Sequence, residues 1–240
     1  MTQSERRLSL ITELKKENRQ YAELPVPLDT AQQKRLLRAL FNVRPPIPCD
    51  AEFLRVQDEY LRKETLQKGV TDFAALTPIR PDIYLWQGDI TTLKCDAIVN
   101  AANSQMLGCF CPNHGCIDNA IHTFAGVELR LACAELMAKQ GHDEPMGQAK
   151  ITPAFNLPCR YVLHTVGPIV GGRLTEKDCG VLRSCYHSCL ALADEKHLGS
   201  IAFCCISTGE FRFPNKRAAE IAIQAVKDYK KETKSGIKVI

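Results

Sequence analysis

The sequence contains no run of about 18 apolar residues, so it predicts no membrane-spanning helix. Its first residues, MTQSERR, lack the apolar stretch of a signal peptide, and we therefore expect a cytoplasmic protein. The net charge is only +4 and no block of like charge occurs, which argues against nucleic acid or a lipid surface as a partner. A P-loop or another nucleotide-hydrolase motif is also absent.

Cysteine, in contrast, is abundant, with 12 residues in a chain of 240. In a reducing compartment these side chains are expected to be thiols, and most of them are expected to serve as small apolar core residues. Cys185 and Cys189 lie four apart on an apolar helical face, and Cys204 and Cys205 lie in an apolar segment typical of a strand. We expect these four in the core.

The apolar residues change their spacing along the chain. Residues 1–80 have helical spacing interrupted by prolines, and they predict a helical extension that packs on the main domain and carries no catalytic group. Residues 81–240 alternate strand and helix patterns, which predicts an α/β domain with a mostly parallel sheet. Ligands of such sheets bind beyond the carboxyl ends of strands, and the loops after Trp86, Val99 and Ile206 have that position.

Residues 109–116, called here the cysteine loop, contain three thiols and one imidazole. Thiolate and imidazole are the ligands that Zn²⁺ prefers in proteins. No second pair of metal-ligating residues stands nearby to complete a separate closed site. Either Cys111 joins the other three side chains, or one coordination position stays open for water or substrate. A cysteine-rich turn without metal is the plain alternative, and the pattern favours the metal.

Asp118 follows the cysteine loop at the start of a predicted helix. A carboxylate at that position commonly does no more than interact with the helix dipole. Because Asp118 lies two residues from Cys116, a potential metal ligand, its position favours a catalytic or substrate-holding role.

Two further loops have residues suited to a nucleotide. The turn that begins at Ser207 joins an apolar strand to a helix that starts near Pro214, and such turns present backbone N–H groups to phosphates. Asp89 ends another strand, where its carboxylate could accept from an exocyclic amine, and Asn103 offers a donor and an acceptor to sugar hydroxyls. Taken singly, each of these features is equally typical of an ordinary turn or cap.

Six segments taken in order resemble the macrodomain family: 88–91 (GDIT), 96–103 (DAIVNAAN), 116–122 (CIDNAIH), 147–152 (GQAKIT), 164–168 (HTVGP) and 207–211 (STGEF). The cysteine loop makes the chain similar to the zinc-dependent microbial macrodomains, which also have a helical N-terminal extension. The resemblance implies a three-layer α/β/α fold with a mixed, mostly parallel sheet. It also implies a glycosidase-type hydrolase that removes mono-ADP-ribose from acidic side chains of proteins, a lipoyl-carrier protein among them in related bacterial systems.

The resemblance further implies one zinc ion per chain and a set of site residues. Cys109, His114 and Cys116 would bind the zinc, which would orient the distal ribose. Asp118 and Asn103 would be the catalytic residues, with Asp118 activating the attacking water. The residues expected to bind ADP-ribose are Asp89, Ile90, Asn103, Ile117, Asp118, Asn119, Ser207, Thr208, Gly209, Glu210 and Phe211.

The chain departs from the zinc-free macrodomains, which have a glycine-rich run where this chain has the cysteine loop. Cys111 is an additional thiol, and we expect it not to bind the metal. Two alternatives stay open. The chain could be a non-catalytic ADP-ribose-binding module with a structural zinc. It could also have a closed zinc site that includes Cys111, with a phosphatase-like or deacetylase-like activity on a free ADP-ribose derivative.

Overall fold

The computed structural model describes all 240 residues. Its N-terminal part is helical, because Asp29 and Asp50 cap two long helices by accepting from the backbone N–H groups of Gln32 and Phe53. The helices of this N-terminal layer are α1 (Gln3–Glu17), α2 (Arg19–Ala22), α3 (Thr30–Val43) and α4 (Ala51–Lys68). Leu10, Leu37 and Tyr60 belong to the apolar core of this layer, which Val127 of the main domain joins. None of the helices in the chain is both long and apolar enough to cross a membrane.

The sequence predicts a boundary at residue 80 between the layer and the main domain. In the structure the boundary lies earlier in the chain. Helix α4 ends at Lys68, since Gly69 follows with φ +90°. Strand β1 (Thr71–Asp72) then pairs with β4 (Leu93–Lys94), and β2 (Pro78–Arg80) pairs with β3 (Ile83–Tyr84). Residues 71–80 therefore belong to the main domain by their backbone hydrogen bonds.

The main domain contains a seven-stranded mixed sheet. Its other strands are β5 (Ala97–Ala101), β6 (Ala149–Pro153), β7 (Tyr161–Thr165), β8 (Ser200–Ala202) and β9 (Lys238–Val239). The strand order is β2-β3-β9-β8-β5-β7-β6. The four inner pairings are parallel, and the pairings at the two edges, β2 with β3 and β6 with β7, are antiparallel.

Helices cover both faces of the sheet because its central strands are apolar on both sides. In β5, Ala97 and Val99 pack with α7 (Glu176–Glu195) and α8 (Asn215–Thr233), whereas Ile98 packs with α5 (Ile117–Ala125) and α6 (Val127–Gln140). The N-terminal layer contacts α5, and it contacts α6 through Val127, so it forms a further layer outside the three of the main domain.

The apolar segment after Ser200 forms a shorter strand than the sequence predicts. Strand β8 ends at Ala202, although the backbone N–H of Phe203 still donates to the carbonyl oxygen of Ile240. Cys205 is exposed, so the core position expected for it is wrong. Cys204 is half-buried and packs against both core clusters of the main domain, outside any strand. Cys185 and Cys189 are buried as predicted.

The apolar spacing of Ile121, Ala125, Leu129, Ala132 and Leu136 predicts one helix, which Gly126 divides into α5 and α6. Its backbone has φ +98°, and an added Cβ would lie 2.7 Å from Nε2 of the buried Gln57. Gln57 Oε1 in turn accepts from the backbone N–H of Val127 at 2.9 Å. The break therefore joins the main domain to α4.

We expect Gly126→Ala to lower the free energy of unfolding by about 1–3 kcal/mol, because alanine is strained at this φ and displaces Gln57. Gly180→Ala is the matched control. Gly180 lies inside α7 with open space around its Cα, and alanine there should stabilise by about 0.5–1 kcal/mol. Urea denaturation of both variants measures the two changes, and a loss of the same size in both would contradict the role given to Gly126.

Candidate active site

A cleft of about 580 Å³ opens beyond the carboxyl ends of β5 and β8. This is the position at which ligands bind to open α/β sheets. Residues that follow β5, residues of the cysteine loop and residues that follow β8 form its walls. The predicted site residues that line it are Asn103, Cys109, His114, Cys116, Ile117, Asp118, Ser207, Gly209, Glu210 and Phe211.

The cysteine loop brings three potential metal ligands together. One ligand atom each from Cys109, His114 and Cys116 lies within 4.8 Å of the other two. His114 Nδ1 is buried without a hydrogen-bond partner, and His114 Nε2 lies 3.4 Å from a carboxylate oxygen of Glu210. Cys111 is exposed and lies outside the group. This set of groups fits a zinc ion. It contains two thiols, one imidazole nitrogen without a partner, and the Glu210 carboxylate beside the other imidazole nitrogen.

Asp118 lies in the first turn of α5, next to the cysteine loop. Cys116 caps this helix, its Sγ accepting from the backbone N–H of Asn119 at 3.4 Å. Asp118 is only 5% exposed although it lines the cleft. Burial raises its pKa to about 6, against the opposing effects of the Asn100 hydrogen bond and the Arg130 charge. A carboxylate with a raised pKa that borders a cleft can accept a proton at near-neutral pH.

A buried polar chain lies behind Asp118. Asn100 Nδ2 donates to Asp118 Oδ1 at 2.7 Å and lies 3.2 Å from His164 Nδ1. His164 Nε2 lies 2.9 Å from Thr152 Oγ1. Burial lowers the pKa of His164 to about 3, so the ring is neutral. Because Asn100 Nδ2 is a donor, His164 accepts at Nδ1, and its ring proton lies on Nε2, which donates to Thr152 Oγ1. This chain fixes the direction of the Asp118 carboxylate.

The turn after β8 has free backbone donors at the edge of the cleft. The backbone N–H groups of Ser207, Gly209, Glu210 and Phe211 donate to no acceptor in the protein. Ser207 has φ +64°, and its hydroxyl is buried without a partner. Several unpaired N–H groups in one turn form a site for an anion such as a diphosphate.

Asn103 lines the cleft, but its side-chain amide is already hydrogen-bonded. Its Oδ1 accepts from the backbone N–H of Met106 at 3.0 Å, and its Nδ2 donates to the carbonyl oxygen of Gly108 at 3.1 Å. Met106 and Gly108 both have positive φ. Asn103 therefore shapes the chain that leads into Cys109.

Four of the predicted ligand-binding residues do not line the cleft. Asn119 is fully buried, and its Nδ2 donates to carbonyl oxygens of the cysteine loop. Ile90 belongs to the core, and the Thr208 hydroxyl donates to the carbonyl oxygen of Cys205.

Asp89, the fourth of these residues, caps a short 3-10 helix and is exposed, with Oδ2 at 3.0 Å from Lys68 Nζ. Burial acts to raise the pKa of Asp89, but hydrogen bonds from Thr91 and Lys68 outweigh it and hold the pKa below its ordinary value.

Comparison with known proteins identifies the class of this molecule. Residues 99–222 match the family model of the Macro domain. A protein-ADP-ribose hydrolase of Treponema medium is 58% identical over 244 residues, which cover 100% of this chain and 94% of that protein. A protein-ADP-ribose hydrolase of Staphylococcus aureus strain MRSA252 is 51% identical over 233 residues, which cover 96% and 87%. The Trypanosoma brucei macrodomain, solved in complex with ADP-ribose, is 31% identical with a TM-score of 0.63, covering 84% of this chain and 87% of that one.

The chain belongs to the macrodomain family. The expected α/β fold, with a mixed sheet between helices, is confirmed by the sheet order and by the solved macrodomains. Within this family, its near full-length relatives are glycosidase-type hydrolases, which confirms that the chain is an enzyme of that type.

Proposed function

We propose that this chain is a zinc-dependent protein-ADP-ribose hydrolase that releases mono-ADP-ribose from acidic side chains. One observation carries the proposal: Asp118 lines the same cleft as the three converging donors of the cysteine loop. The names of the relatives that match along nearly the whole chain support ADP-ribosylated protein as the substrate.

The substrate binds through groups that the protein leaves free. The unpaired backbone N–H groups of the turn at residues 207–211 hold the diphosphate. Phe211 is partly exposed on the wall of the cleft and contacts a ribose. Asp89 lies outside this cleft, where its carboxylate can accept from the adenine amine while keeping its ion pair with Lys68.

Asp118 acts as the general base. Cys109, His114 and Cys116 would hold the zinc ion, which would supply a Lewis acid to orient the distal ribose. Asp118 accepts a proton from water while the water oxygen bonds to the anomeric carbon. The bond from that carbon to the acidic side chain breaks, and the electron pair leaves with a carboxylate, which needs no proton. Asn100 holds Asp118 in place during this step, whose transition state is oxocarbenium-like.

The proposal is tested with proteins that carry ADP-ribose on Asp or Glu, on Arg, or on Ser, together with zinc analysis of the purified chain. We expect release from the Asp- and Glu-linked substrates, a modified lipoyl-carrier protein among them, and one zinc ion per chain. Release only from Arg or Ser would contradict the acidic linkage. Activity of a zinc-free preparation would contradict zinc dependence.

A further inference from the structure

The cysteine loop forms no helix or strand of its own. Within it, the backbone N–H of His114 donates to the carbonyl oxygen of Cys111 at 3.2 Å. This turn covers residues 111–114 and reaches neither Cys109 nor Cys116, which stand at opposite ends of the loop. The support for their convergence must therefore come from other parts of the molecule.

Arg38 on α3 provides one such support. Its guanidinium donates to Asn119 Oδ1 from Nε at 3.2 Å and from a terminal nitrogen at 2.8 Å. The same terminal nitrogen donates to the carbonyl oxygen of His114 at 2.9 Å. Arg38 thus binds the loop directly at one of the potential zinc ligands.

Asn119 carries the contact further into the loop. Its Nδ2 donates to the carbonyl oxygens of Cys111 at 3.0 Å and Cys109 at 3.4 Å. Asn119 is fully buried. Its amide oxygen accepts from Arg38, and its amide nitrogen donates to the cysteine loop. A continuous hydrogen-bonded path therefore joins the N-terminal layer to the backbone of Cys109.

Asn42, one turn further along α3, makes a second contact. Its Oδ1 accepts from the backbone N–H of Asn113, which has φ +57°, and its Nδ2 donates to Thr123 Oγ1, both at 2.9 Å. The cysteine loop is thus held between α3 and α5, and the N-terminal layer forms part of the wall behind the metal ligands.

We propose that Arg38 is a positioning residue of the metal site, and that through Asn119 and the His114 carbonyl oxygen it sets how tightly the cysteine loop holds zinc. This inference rests on the zinc site of the proposed function. Arginine suits the task because its planar fork serves two acceptors at fixed directions, which the single ammonium of lysine cannot do. Arg38 is partly exposed, so its removal leaves the apolar core of the layer intact.

The test compares the zinc affinity of Arg38→Ala, Arg38→Lys and Arg35→Ala by competition with a chelator. Arg35 lies on the same helix, is exposed and forms no hydrogen bond or ion pair, which makes Arg35→Ala the matched control. Outer hydrogen-bond partners of metal ligands change metal affinity by about 10–100-fold, and we expect a loss of that size in Arg38→Ala. Arg38→Lys should recover only part of it, and Arg35→Ala should bind zinc as the unaltered protein does.

A second measurement separates positioning from general destabilisation. Each variant is loaded with Co²⁺, whose visible absorption reports the ligand geometry, and the unfolding of the metal-free protein is followed in parallel. We expect Arg38→Ala to change the Co²⁺ spectrum. The double variant with Asn119→Ala should lose less zinc affinity than the two single losses combined, because the two side chains share a hydrogen bond and Arg38 also binds the His114 carbonyl oxygen. Unchanged affinity and an unchanged spectrum in Arg38→Ala would overturn the inference while leaving the hydrolase proposal intact. Failure of the unaltered chain to bind zinc would remove both the inference and the zinc dependence.

Discussion

Asp118→Ala is expected to lower kcat for release of ADP-ribose by about 10²–10⁴-fold, the usual contribution of a positioned general base. The reason lies in the geometry of this carboxylate. It borders the cleft, Asn100 fixes its direction, and burial raises its pKa to about 6. The free backbone donors at residues 207–211 remain in the variant, so the affinity for ADP-ribose should change little. Single-turnover hydrolysis and calorimetric binding measure the two quantities separately.

Asp89→Ala is the control for this prediction, because it removes a carboxylate that lies outside the cleft wall. We expect it to weaken ADP-ribose binding and to leave kcat nearly unchanged. Asp118→Asn serves as a second control, since its amide oxygen can still accept from Asn100 Nδ2. Full turnover in Asp118→Ala would exclude Asp118 as the base.

The parts of the site that the sequence predicts are those in which neighbours along the chain act together. Cys109, His114 and Cys116 are close in sequence, so their spacing alone marks them as candidate ligands of one metal ion. The order of strands and helices likewise placed the turn at residues 207–211 on the ligand side of the sheet. Local spacing and the general rule for α/β sheets suffice for these features.

The supports of the site could not be read from local patterns. Arg38 and Asn119 are 81 positions apart, and Arg38 stands in a helix with the residue spacing of an ordinary amphipathic extension. Asn100 lies in a strand that is otherwise apolar, and this isolated polar residue is the one signal that could have revealed it. Its partner His164 lies on the neighbouring strand, and that pairing depends on the register of β5 and β7.

The roles of asparagine side chains were the least predictable feature of the site. Asn103 and Asn119 both have a donor and an acceptor suited to a sugar, yet the structure uses both amides to bind backbone atoms near the cysteine loop. An amide satisfies a buried carbonyl oxygen or N–H as readily as a ligand. Which of the two it binds depends on packing that a single sequence does not show.

Cys116→Ser is expected to lower zinc affinity by more than about 100-fold and to abolish hydrolysis. The loss exceeds that from removing an outer hydrogen-bond partner, because Cys116 is itself a proposed zinc ligand. A hydroxyl stays protonated where a thiol becomes a thiolate ligand, so serine cannot replace the sulfur. Serine is nevertheless a good N-cap, so the start of α5, which Cys116 caps, should be preserved. Loss of metal can therefore be observed without loss of the helix that positions Asp118.

Cys111→Ser is the matched control, because it makes the same chemical change at an exposed thiol outside the group of donors. We expect this variant to keep its zinc and its activity when both proteins are purified under reducing conditions and analysed by metal mass spectrometry. Zinc loss in Cys111→Ser would instead indicate four protein ligands. A closed site of that kind has no free position for the ribose, so the metal would then support the fold of the loop, and Asp118 would have to carry out hydrolysis without it.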